Sequence, residues 1–167
     1  MRRTAELGLF LALALILSYV ESLIPFSFGI PGIKLGLPNL IVLLLLYDEM
    51  GNGAQEALLV NGLRIVLSGV LFSNLYAILY ALAGALFSFM AMLLGKRIGC
   101  LSMVGVSILG GVFHNIGQIL VAMLVVETFA VAYYAPFLIV AGTVTGAVLG
   151  FVGMELLPYL RRMSRDD

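Results

Sequence analysis

The sequence predicts an all-α integral membrane protein, folded as one domain of six transmembrane helices, because three observations agree. Of its 167 residues, 62% are hydrophobic and only 11% are charged, and the mean hydropathy is +1.15, which is too apolar for a soluble domain. The apolar runs are long and do not alternate with polar residues, as the strands of a membrane β-barrel would. The length holds about six helices of ~20 residues and leaves no room for a soluble catalytic domain.

The first apolar run covers residues 5–24 and predicts a transmembrane helix that ends at Pro25. A signal peptide also begins with basic residues followed by an apolar run. This run is longer than the apolar region of a usual signal peptide, so we expect the helix to be retained.

The segment that follows, residues 25–38, contains three prolines and three glycines and cannot be a regular helix. The second helix is predicted over residues 38–47, because proline suits the first turn of a helix. The apolar run from Leu35 has only 13 residues, or about 20 Å, against a hydrocarbon core of ~30 Å. Either the bilayer thins here, or the preceding loop folds back into the outer half of the bundle as a lid or site wall.

Short polar or glycine-containing turns separate the remaining apolar segments, and Pro158 follows the last one. They predict four further transmembrane helices, over residues 54–71, 75–94, 101–126 and 131–157.

The basic residues predict the orientation. With six spans, both termini lie on the same side as the 48–53 and 95–100 turns. That side collects seven of the nine basic residues: Arg2, Arg3, Lys96, Arg97, Arg161, Arg162 and Arg165. The positive-inside rule therefore predicts that both termini are cytoplasmic.

Polar residues inside the apolar segments are the candidates for a binding site. A charge at the bilayer centre costs about 2.5–3.5 kcal/mol on insertion scales, so it normally faces a bundle interior, a cavity or a partner. We expect the candidates to converge on the outer half of the bundle and to hold a ligand there: Glu21, Lys34, Arg64, His114, Asn115 and Gln118. Two cations against one carboxylate favour an anionic or strongly polar ligand, with Glu21 orienting the cations.

A purely structural interpretation remains open for the same residues. Arg64 and Glu21 can form a structural ion pair, with the polar residues near His114 joining helices by hydrogen bonds. Small residues have their own pattern. The spacing of Gly142, Gly146 and Gly150 predicts close packing of the last helix within the bundle, whereas Gly8 and Ala12 on the first helix are a candidate contact for another subunit.

Several chemistries are not predicted. The sequence has no GxxxxGK[ST] loop, no HExxH motif and no internal DDxxD-type segment, so nucleotide hydrolysis and prenyl diphosphate condensation lack their usual residues. One histidine and one cysteine make a zinc site improbable. The net charge of zero does not suggest nucleic acid. We therefore expect no enzyme activity, cofactor or metal.

Glu21 with Pro25, PGIKLGLPN at residues 31–39, Arg64 and HNIGQ at residues 114–118 resemble the Gx transporter family, whose older label is heptaprenyl diphosphate synthase component I. The family in turn resembles the S components of energy-coupling factor transporters, six-helix bundles that capture a vitamin or precursor from outside. The resemblance implies a multi-pass protein of a prokaryotic cell membrane.

The resemblance also implies partners: a small-molecule substrate, membrane lipid, a transmembrane coupling subunit and two cytoplasmic ATPases. S components meet the coupling subunit through a small-x3-small motif on their first helix, and Gly8/Ala12 is the nearest match here. The alternative is a non-catalytic membrane subunit that serves isoprenoid, prenyl diphosphate or quinone synthesis.

Overall fold

The computed structural model describes residues 2–23, 36–48 and 52–165, and these residues form helices joined by turns, without a strand. The helices are α1 (Arg2–Leu23), α2 (Asn39–Tyr47), α3 (Gly53–Phe72), α4 (Leu75–Ile98), α5 (Met103–Val126), a 3₁₀ helix (Phe129–Tyr134) and α6 (Ala135–Arg165). Five of the described helices are long and apolar enough to cross a membrane. The all-helical membrane fold is therefore confirmed.

The predicted helix boundaries hold to within about two residues for α2, α3 and α5. α4 continues to Ile98, four residues beyond its predicted end, and stops at Gly99, whose φ of 74° is the left-handed conformation that ends a helix. The prediction for the last helix was wrong at both ends: a 3₁₀ helix precedes α6, and Pro158 lies inside α6 rather than after it. Residues 24–35, which include most of the predicted loop, lie outside the described residues.

The short helix α2 lies at the centre of the bundle. All residues from Asn39 to Leu46 are buried, and α2 contacts each of the five long helices. Its nine residues span only about 14 Å at 1.5 Å per residue, less than half of the ~30 Å hydrocarbon core. α2 is therefore a buried core element and not one of the five helices long enough to cross alone.

α5 packs closely between α4 and α6 because glycines remove side chains from the contacts. A methyl group added to Gly142, Gly146 or Gly150 would lie 2.7 Å from a backbone atom of α5. On the other side, a methyl on Gly117 of α5 would lie 2.7 Å from the carbonyl oxygen of Ala83 in α4. The predicted packing of the last helix within the bundle is confirmed.

Charged side chains gather where α2 ends. Lys96 Nζ donates to the carbonyl oxygen of Leu46 at 2.5 Å, and Arg161 donates to that of Tyr47 at 3.3 Å, so two cations satisfy the last carbonyls of α2. Arg3, near the start of α1, bonds to Asp48 and to Glu56 of α3. The start of α1 and the late part of α6 thus lie at the same end of the bundle.

Candidate ligand-binding site

Glu21 holds the beginning of α2. Its side chain is buried, with 5% exposed, and Oε1 accepts hydrogen bonds from the backbone N–H groups of Gly36, at 2.5 Å, and Leu37, at 3.1 Å. Both groups directly precede α2, where the orphan N–H groups and the helix dipole favour a negative charge. Glu21 therefore anchors the chain that enters α2 from the preceding segment.

Arg64 lies on α3 and points into the bundle toward α1. Only 4% of it is exposed. Its Nη2 donates to Asn61 Oδ1 at 2.5 Å, and its Nη1 donates to Ser18 Oγ at 3.5 Å. Ser18 lies one turn before Glu21 on the same face of α1, and the charge of Glu21 attracts the guanidinium. Glu21 and Arg64 thus attract each other electrostatically, although Arg64 donates its hydrogen bonds to the neutral oxygens of Asn61 and Ser18.

His114 and Gln118 form the α5 side of the site. They lie one turn apart, with Gln118 Nε2 at 3.1 Å from His114 Nε2, and both are buried. A methyl group on Gly36 would lie 3.2 Å from the imidazole Cδ2, and one on Gly84 of α4 would lie 2.9 Å from Cε1. The imidazole is therefore enclosed between the chain that Glu21 anchors and the backbone of α4.

Asn115 does not face the same way as His114. Its Nδ2 donates to the carbonyl oxygen of Leu138 at 2.6 Å, so it joins α5 to α6. Because successive residues on a helix are turned by about 100°, Asn115 is directed away from the face that His114 and Gln118 share. Of the predicted set, Glu21 accepts from Gly36, which lies against His114, and the charge of Glu21 attracts Arg64. Asn115 instead joins α5 to α6.

Two other predictions have different outcomes. Lys34 lies outside the described residues. Gly8 and Ala12 lie on the exposed side of α1, and a methyl group on Gly8 would meet no atom within 4 Å. Among the described parts of the chain, α1 packs only against α2 and α3, so this surface is open to lipid or to another protein. Within the described ranges, no group of three or more histidine, cysteine, aspartate or glutamate residues could hold a metal ion.

The comparison with protein families shows which family the chain belongs to. The model described as heptaprenyl diphosphate synthase component I matches residues 10–156. The chain belongs to this family. The match includes Glu21, Arg64, His114 and Gln118, and it confirms the resemblance to the family that carries this label. No curated protein and no solved structure matches the chain.

In this member of the heptaprenyl diphosphate synthase component I family, the polar interior is incompletely satisfied. Arg64 Nε, Asn39 Nδ2 and Asn115 Oδ1 are each buried without a hydrogen-bond partner among the described residues. Leaving a buried polar atom unsatisfied costs about 1–3 kcal/mol, and more for a charged group. These atoms are positions where a ligand atom or a water molecule would lower the free energy.

Ser18 and Asn39 belong to the site but were not among the predicted site residues. Ser18 Oγ accepts a hydrogen bond from the Arg64 guanidinium. Asn39 lies beside Gly36, since a methyl group added to Gly36 would lie 3.0 Å from Asn39 Nδ2. The spacing of Ser18 and Glu21, three residues apart on one helix, would have revealed Ser18. Asn39 follows Pro38 at a predicted helix start, where a polar residue is common. Nothing in the sequence therefore indicated that Asn39 is buried.

Proposed function

We propose that the protein is the substrate-binding membrane subunit of an energy-coupling factor type uptake transporter, similar to an S component. It captures a small anionic or polar-headed ligand at the buried polar residues beside the start of α2. In this proposal the chain crosses a prokaryotic cell membrane six times, with the segment through α2 as the second crossing and both termini in the cytoplasm. The observation that carries the proposal is Arg64, a buried guanidinium whose Nε has no hydrogen-bond partner among the described residues.

The surroundings of Arg64 support binding over a purely structural ion pair. A structural pair would place the Glu21 carboxylate against the guanidinium, because a buried charge is strongly destabilising unless it is directly paired. Instead, Glu21 accepts from the backbone of Gly36 and Leu37, and Arg64 donates to Asn61 and Ser18. An anionic ligand group would supply the charged acceptor that the guanidinium lacks at hydrogen-bond distance within the described ranges.

The proposed partners follow from what a binding subunit needs. The sequence has no GxxxxGK[ST] loop, so we propose that a coupling subunit and two ATPases supply the energy. We also propose that the chain itself binds its ligand without transforming it and is not an enzyme. The exposed side of α1 around Gly8 and Ala12 is the surface proposed for the coupling subunit, because small residues let two helices approach closely in a membrane.

The family description favours a second candidate function. It names a component of heptaprenyl diphosphate synthase, which supports a non-catalytic membrane subunit of isoprenoid or quinone synthesis. The two candidates differ in their partners. Mild purification should recover a coupling subunit with ATPases in the first case, and a soluble aspartate-rich prenyl synthase in the second.

The test of ligand binding is mass spectrometry of the small molecules that the purified protein retains. Arg64→Ala and His114→Ala should each reduce retention about tenfold or more, since a hydrogen bond to a charged group is worth about 1.5–3 kcal/mol. Arg97→Ala is the matched control, because Arg97 is an exposed cation at the end of α4. Unchanged retention in both site variants, with the helical fold intact, would show that the proposed site is wrong.

A further inference from the structure

An open recess of about 740 Å³ lies along the 3₁₀ helix that links α5 to α6. Phe129 and Tyr133 line it, and each of these aromatic residues is 88% exposed. Ala130 and Ala132 also line the recess, and their small side chains leave the space open. Glu127, at the end of α5, contributes a carboxylate to the same recess. The recess thus combines two exposed aromatic rings with one negative charge.

The 3₁₀ helix is fixed to the bundle by one buried side chain. Val131 is 5% exposed and packs against α4, α5 and α6 through four residues: Tyr80, Ile119, Ala122 and Leu138. A 3₁₀ helix has three residues per turn, so Phe129 and Tyr133, each two residues from Val131, are turned away from this contact by about 120° to either side. The aromatic residues therefore stay exposed on an element that the core holds in place.

The charges around the recess favour a cation. Glu127 has a φ of 52°, the left-handed conformation that glycine usually adopts where a helix ends. Its carboxylate therefore lies beside the last carbonyl groups of α5, where the helix dipole is also negative. Of the basic side chains that the structure describes, Arg64 lies inside the bundle and the others belong to the end where α2 stops: Arg3, Lys96, Arg97, Arg161 and Arg162.

The recess lies at the opposite end of the bundle from those basic residues. Val131 contacts Tyr80 near the beginning of α4, whereas Lys96 lies near the end of that helix. α5 and α6 are both long and apolar enough to cross a membrane, so the short link between them lies at the level of the lipid headgroups. In the proposed orientation, this is the outer surface of the membrane.

We propose that the recess binds the ammonium group of a phospholipid head in this leaflet. The carboxylate of Glu127 attracts an ammonium ion, and so do the faces of aromatic rings, which is how proteins recognise cationic ligands such as choline. Thr128 lines the recess as well. Its Oγ1 accepts from the N–H of Ala130 at 3.3 Å, and its hydroxyl proton can be donated to the lipid phosphate. The inference goes beyond the proposed function and requires only that α5 and α6 cross the membrane.

A tryptophan reporter tests the proposed site. The chain has no tryptophan, so Tyr133→Trp places a single reporter in the recess and keeps an aromatic face there. The variant is placed in phosphatidylglycerol nanodiscs, in which phosphatidylethanolamine with the same acyl chains replaces increasing fractions of the lipid. We expect a saturable change in tryptophan emission, because the ammonium group binds against the ring. Tyr134→Trp is the matched control, since Tyr134 adjoins the recess without lining it, and should show no saturable change.

Further variants in the Tyr133→Trp background separate the contributions to binding. Glu127→Gln and Phe129→Leu should each raise the half-saturating fraction of phosphatidylethanolamine about two- to fivefold, which corresponds to the loss of one exposed ion pair or cation–aromatic contact. Glu155→Gln removes an exposed carboxylate from α6, outside the recess, and should leave the half-saturating fraction unchanged.

Several results would overturn the inference. They are the absence of a saturable response, the same response from Tyr133→Trp and Tyr134→Trp, and a half-saturating fraction that Glu127→Gln or Phe129→Leu leaves unchanged. Free ethanolamine, added to nanodiscs of phosphatidylglycerol alone, should not reproduce the response. If it did, the recess would be a site for a soluble ammonium compound, and the assignment to a phospholipid would be wrong.

Discussion

Glu21 and Arg64 do not form a simple ion pair, because each side chain binds different groups. The carboxylate binds the backbone at the entrance of α2, where the helix dipole stabilises it. The guanidinium is held by Asn61 and Ser18 and is attracted by Glu21 through their charges. In the proposed function, Arg64 therefore binds the ligand while Glu21 continues to position α2.

Changing Glu21 tests this division. Glu21→Ala should lower the free energy of unfolding by about 1–3 kcal/mol, because the buried N–H of Gly36 and the part-buried N–H of Leu37 lose their acceptor. Glu21→Gln keeps an acceptor oxygen and should cost less. Thermal denaturation of the purified protein in detergent measures both. Equal losses for the two variants would mean that the charge, and not the acceptor, is the property that matters.

The sequence indicated the buried charged residues more readily than most of the buried neutral ones. Burying a charge in an apolar helix is costly enough that Glu21 and Arg64 could be recognised without a structure. Ser18 and Asn39 are ordinary polar residues, and their burial depends on which helices meet. The direction of Asn115 toward α6 likewise depends on the position of Leu138, which the sequence alone does not fix.

At the scale of the elements, the contact between α5 and α6 is closely packed, backbone against backbone. The glycines of α6 face the α5 backbone at distances that exclude any side chain. Their four-residue spacing was readable in the sequence, so this contact was predicted. The central position of the nine-residue α2 was not predicted, because its length suggested only a short crossing. The 3₁₀ helix before α6 was not predicted either, because no sequence pattern distinguishes it from the start of the helix.

Adding one methyl group tests the packing of α6. Gly146→Ala would place a methyl 2.7 Å from Ile108 Cα, and α6 would have to move away from α5, at a cost of about 1–3 kcal/mol. Gly8→Ala is the matched control, because a methyl there meets no atom within 4 Å and alanine favours a helix over glycine. Thermal unfolding should show a lower midpoint for Gly146→Ala alone. A similar midpoint for both variants would contradict the close contact.

At the scale of the whole molecule, the contacts of Arg3 constrain the path of the chain. Five long helices alone would leave the two ends of the chain on opposite sides of a membrane. Arg3 of α1, however, bonds to Asp48 and Glu56, which puts the start of α1 beside the start of α3. Between these helices, α2 begins next to Glu21, near the end of α1, and ends at Asp48 beside Arg3. α2 therefore runs in the opposite direction to α1.

The lone cysteine reports the side of the membrane to which this end belongs. Cys100 is exposed and follows α4 at the end that the basic residues predict to be cytoplasmic. A membrane-impermeant maleimide should label it in inside-out vesicles and not in right-side-out vesicles. In the Cys100→Ala background, Ser73→Cys, exposed in the turn at the other end of α4, should show the opposite pattern. Labelling of both positions from one side would mean that α4 does not cross the membrane, and a reversed pattern would place both termini outside.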